Sequence, residues 1–79
     1  MLGTLLGQMA KWREAEVHLR RAVELAPRDA QARNNLGAAL LAQQKPRQAI
    51  EQFEAALKIK PDYQGAQDNL DRARSMIGE

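Results

Sequence analysis

The chain repeats itself every 34 residues. Displaced by that interval, Leu2 falls on Leu36 and Leu36 on Leu70. Gly3 falls on Gly37, Ala15 on Ala49, Leu19 on Phe53, Ala22 on Ala56, Leu25 on Ile59 and Pro27 on Pro61. A fixed period in this range means one supersecondary unit stacked on copies of itself. A single unit cannot bury its apolar face, so the copies close the core together. Stacks of this kind make extended surfaces rather than catalytic pockets. The repeat therefore constrains the class of function as well as the fold.

The apolar spacing locates the elements. Residues 1–9 read as the tail of a first helix, and Ala10 and Lys11 as a turn. Residues 12–26 read as a second helix, with Ala15, Leu19, Ala22, Val23 and Ala26 at helical spacing. Pro27 ends it, because proline cannot continue a helix interior. Asp29 is placed to cap a third helix, residues 30–43, whose stripe is Ala32, Leu36, Ala39 and Leu40. Pro46 suits the first turn of a fourth helix, which carries Ala49, Ile50, Phe53, Ala56 and Leu57. Pro61 follows, and Asp62 is placed to cap a fifth helix, residues 63–77, with Ala66, Leu70, Ala73 and Ile77 on one side. No segment alternates with a period of two, so no strand is expected. Gly37, Ala15, Ala22, Ala49 and Ala56 are small enough to let helices approach to about 8–10 Å. Leu36 and Phe53 then fill the space between them.

Leu36-Gly37, Leu40, Ala49, Phe53 and Pro61 resemble the tetratricopeptide repeat, whose signature runs W-x2-L-G-x2-Y, then A-x3-F, then P. The first copy, Leu2-Gly3, Leu6, Ala15, Leu19 and Pro27, is similar but starts late. The sequence also departs from the pattern. Arg33 and Gln67 stand where the family prefers Trp, and Leu6, Leu40 and Arg74 where it prefers Tyr. Gln44 replaces the usual turn glycine, with Pro46 two residues later. The resemblance implies an all-α solenoid of antiparallel helix pairs, about five helices with the first truncated. It covers one domain, residues 1–79: a partial repeat at 1–27, a complete repeat at 30–63 and a closing helix at 64–79.

The two ends differ. The last helix carries Asp71 and Arg74 where a following repeat would pack, which is the polar outer face that a terminal repeat needs. Leu2, Leu5, Leu6 and Met9 have no such cover. The expectation is a C-terminal piece of a longer array, or a homo-oligomer that self-associates through those four residues.

Composition narrows the rest. A chain of 79 residues buries only about 60% of its unfolded surface, so the core is marginal. Cysteine is absent, which removes thiolate nucleophiles and cysteine metal sites. His18 is the only histidine and has no partners at ligand spacing, so no metal or cofactor is expected. No basic leader precedes an apolar run, and no run approaches a membrane span. No membrane partner is expected, and a cytoplasmic location is. The net charge of +2 comes from intermixed acids and bases. Arg13, Arg20, Arg21, Arg28 and Arg33 make the first half locally basic, but no aromatic platform accompanies them. Nucleic acid is therefore not an expected partner.

The resemblance implies that the first helix of each repeat lines a concave groove for extended peptides. Asn35 and Asn69 stand 34 residues apart on that face. An asparagine amide offers two donors and an acceptor, which suits a peptide backbone whatever its side chains. The plain alternative is that Asn34 and Asn35 merely solvate a helix face. Further groove candidates are Gln31, Asn34, Ala38, Leu41 and Ala42 on one helix, and Asp68, Arg72 and Met76 on the next. A related mode of the family clamps carboxylates with a lysine and an arginine, but Gly65 and Asn69 occupy those positions here. The expected activity is non-enzymatic: a scaffold that binds a protein or peptide ligand.

Overall fold

A computed structural model describes residues 2–79, with side-chain surroundings from Gly7 onward. Four helices follow in order: α1 (Leu2–Leu25), α2 (Ala30–Ala42), α3 (Pro46–Ile59) and α4 (Gln64–Met76). Each packs on the next, and α2 also touches α4. The all-α class holds, and the described residues contain no strand.

The expected turn at Ala10 and Lys11 is absent: α1 runs straight through it. The second copy shows why. There α2 stops because Gln44 turns into the left-handed region, at φ 63. The N–H of Lys45 then reaches back to the Leu40 carbonyl at 3.0 Å, and that of Gln44 to Leu41 at 3.0 Å. Pro46 follows at the start of α3 and cannot continue α2. At the corresponding points the first copy has Ala10, the best helix former, and Trp12. Nothing there stops a helix. The motif recurs after α4, where Gly78 takes φ 78 and the N–H of Glu79 bonds the Arg74 carbonyl at 2.9 Å. Glycine fits that conformation without strain, whereas Gln44 adopts it at a cost of about 1–2 kcal/mol.

The N-terminal caps also follow the repeat. Asp29 caps α2 by accepting the Ala32 N–H at 3.1 Å. Its counterpart 34 residues on is Tyr63, not Asp62. Tyr63 accordingly holds the N-cap of α4, with no side-chain cap bond, and the helix opens one residue later than expected.

The core lies between α2, α3 and α4, built from Leu36, Leu40, Leu41, Ala49, Phe53, Leu70 and Ala73. Phe53, Leu36 and Leu40 are its largest fully buried side chains. Phe53 rests on Gly37, where a Cβ would come within 3.0 Å of three ring atoms. The same repeat positions differ between copies. Ala49, Phe53 and Ala56 are 0% exposed, whereas Ala15, Leu19 and Ala22 are half-buried. The cause is that α3 has helices on two sides, while α1 has only α2.

A polar latch seats α1 on α2. Gln43 is the one buried polar side chain among the described residues. Its Nε2 donates to Glu16 Oε1 at 2.8 Å, to the Ala39 carbonyl at 3.0 Å and toward the Trp12 carbonyl at 3.5 Å. Glu16 also accepts from Arg20 Nε at 2.8 Å and lies 3.5 Å from Lys45 Nζ. This contact levels the end of α2 with Trp12. The preceding stretch of α1 runs past that end, and Gly7, Gln8, Ala10 and Lys11 are exposed.

Two outcomes follow from this packing. Gly37→Ala should destabilise the chain by about 1–3 kcal/mol in denaturant unfolding, because the Phe53 ring must shift; an unchanged midpoint would contradict the contact. The second concerns Glu16. Its hydrogen bond from Arg20, then that from Gln43, hold its carboxyl below the ordinary value of 4.5, with burial opposing and Lys45 assisting. The folded value is thus the depressed one. The latch contributes fully above pH 4.5 and fades as pH falls through the lower folded value. The stability gap between the native chain and Glu16→Gln should therefore narrow from about pH 6 to about pH 3. A constant gap in thermal melts would contradict it.

Candidate functional site

Burying Leu36 and Gly37 turns the neighbouring Asn34 and Asn35 of α2 away from the core, since residues one apart lie on different faces. Asn35 is exposed and Asn34 half-buried. On α4, burial of Leu70 and Ala73 leaves Asn69 half-buried and Asp68 and Arg72 exposed. The amides are joined across the helices, but not in the pairing of equivalent positions. Asn69 Nδ2 donates to Asn34 Oδ1 at 3.1 Å, and Asn34 Nδ2 donates to the Tyr63 hydroxyl oxygen at 3.3 Å. A three-residue polar line thus crosses from α4 to α2 and back to the N-cap of α4.

Tyr63 was not legible as a site residue from the spacing. The available signal was a tyrosine at a capping position, where the preceding copy has Asp29. Its phenol cannot cap its own helix and reaches Asn34 instead. Gly65 makes room for it: a Cβ there would lie 3.4 Å from Tyr63 Cε1. Lys60 Nζ sits 5.3 Å from the ring centroid, within cation–π range. Ring and hydroxyl are both held.

The remaining groove candidates divide by burial. Gln31 is exposed, Ala38 and Ala42 are half-buried, and Met76 is 43% exposed. Leu41, at 9% exposure, belongs to the core cluster. Asp68 accepts from the Gln64 amide at 2.8 Å. Of the self-association candidates, Met9 is half-buried, while the side chains of Leu2, Leu5 and Leu6 lie outside the described residues. Two of the basic residues are engaged within the chain. Arg20 pairs with Glu16 at 2.8 Å, and Arg33 donates to the Pro27 carbonyl at 3.2 Å and to Gln52 at 3.3 Å. His18 is exposed, and no group of three metal-ligating side chains occurs among the described residues. No described helix is long and apolar enough to cross a membrane.

The face therefore offers amide donors and acceptors in a fixed row, one exposed carboxylate, one exposed guanidinium and small apolar patches. It offers hydrogen bonds and contact area to an extended chain, with no nucleophile and base side by side. A family model described as tetratricopeptide repeat matches residues 1–64. No curated protein matches the chain.

Proposed function

The chain belongs to the tetratricopeptide repeat family, a non-catalytic protein-interaction fold, and from that premise we propose that it is a scaffold holding an extended peptide or partner helix against α2 and α4. The observation that carries this reading is the hydrogen bond between Asn69 and Asn34. It fixes one amide on each of two neighbouring helices. A fixed amide loses little side-chain entropy when a ligand arrives. Exposed Asn35 adds a free amide to the same face. Each net hydrogen bond is worth about 0.5–1.5 kcal/mol, so a few amides give modest affinity and little sequence preference. Preference comes from what flanks them: Gln31, Asp68, Arg72 and Met76. Helices about 10 Å apart match roughly three residues of extended chain.

The test begins with peptides selected from a random display library against the chain. Asn35→Ala combined with Asn69→Ala should weaken the best of them at least about tenfold by calorimetry, with helicity retained. Equal affinity in the double variant would refute the role of the amides.

A further inference from the structure

We infer that the cleft between the α1–α2 and α3–α4 loops is a carboxylate site for an acidic segment of a partner peptide. The inference rests on the scaffold reading and specifies the chemistry at one end of its ligand. The cleft measures about 640 Å³ and is lined by Arg28, Gln31, Ile59, Lys60 and Tyr63, with Asp29 and Ala30 at its wall. It adjoins the amide face, because Gln31 and Tyr63 border both.

Four features converge there. Arg28 and Lys60 make no ion pair with any described residue, so both charges are available. Lys60 is not loose, since it lies over the Tyr63 ring. The Tyr63 oxygen already accepts from Asn34, whose own oxygen is held by Asn69. The phenolic proton is left to donate outward, and the relay fixes where it starts. Ile59 is 38% exposed in the same cleft and supplies an apolar neighbour. The one acid in the wall, Asp29, spends an oxygen on the Ala32 N–H at the start of α2. The balance of charge stays positive.

Such a set selects its ligand by polarity. Guanidinium and ammonium groups donate only, as does the free phenolic proton. A carboxylate accepts only, and bonds to it are charge-assisted. An amine would meet two cations. The exposed isoleucine favours an apolar residue beside the acid. The site differs from a clamp on the helix faces, where Gly65 and Asn69 stand. It is built from loop residues at the edge of the array.

The carboxylate could be a side chain or a chain terminus, and one experiment separates them. The probe is an acetyl-capped pentapeptide, Ala-Ala-Leu-Glu-Leu, titrated into the isotope-labelled full chain and followed by amide NMR. Two further probes are its C-terminal amide and its Gln-for-Glu analogue. The expected result is shifts at Gln31, Lys60 and Tyr63, with about tenfold weaker binding for whichever analogue loses the recognised carboxylate. Arg28→Gln with Lys60→Gln should weaken binding about tenfold and Tyr63→Phe about threefold, while Arg47→Gln, a change of charge elsewhere, leaves it unchanged. Shifts confined to Asn35, Arg72 and Met76 would overturn the cleft and leave the scaffold standing. The cleft is likewise overturned if library-selected peptides bind and the acidic probe shifts nothing. Silence from both kinds of peptide would overturn both readings.

Discussion

The contact between Gly37 and the Phe53 ring sets how closely α2 and α3 approach. A side chain at residue 37 would occupy the space of the ring. Because the ring lies there, Leu36 and Leu40 close over it from α2, and Ala49 and Ala56 leave room on either side. Leu70 and Ala73 then seat α4 against the other side of α3. The rotation of α2 that buries Leu36 and Gly37 also decides where Asn34 and Asn35 point. The polar face is thus a consequence of the apolar contact, one residue away in the sequence.

One position in the repeat governs the topology. It is occupied in turn by Ala10, Gln44 and Gly78. Gln44 and Gly78 both adopt positive φ and both close a helix with the same pair of backbone bonds. Ala10 does neither, and the helix goes on. Proline two residues after Gln44 reinforces the stop, and Trp12 supplies no equivalent. Local backbone chemistry, not the hydrophobic stripe, therefore decides whether two stretches become a hairpin or one long helix. The half-buried state of Ala15, Leu19 and Ala22 follows directly, since the stretch that would cover them continues along the helix axis instead.

The stripes of α2, α3 and α4, the Asp29 cap and Pro46 at a helix start were all legible, because each depends on residues within a turn or two. The Gly37–Phe53 approach was legible from the repeat itself. Features that break the repeat were not. The latch of Glu16 and Gln43 has no counterpart, since the matching positions hold Ile50 and Met9. Its bond spans 27 residues and depends on how α1 lies against α2. Tyr63 was hidden for the same reason. Its place matches Asp29, but its reach is that of a phenol, and the partner lies 29 residues away. The alignment of Asn35 with Asn69 correctly identified the face but not the pairing. A small axial offset between the helices brings Asn69 to Asn34.

Stability thus centres on α2, α3 and α4, and the stretch of α1 beyond the latch adds little to it. Native-state amide hydrogen exchange measures this residue by residue. The predicted result is that amides flanking Gly37 and Phe53 exchange only through global unfolding, while those of residues 7–11 exchange through small local openings. Protection along α1 equal to that at the Gly37–Phe53 contact, or greater, would contradict it.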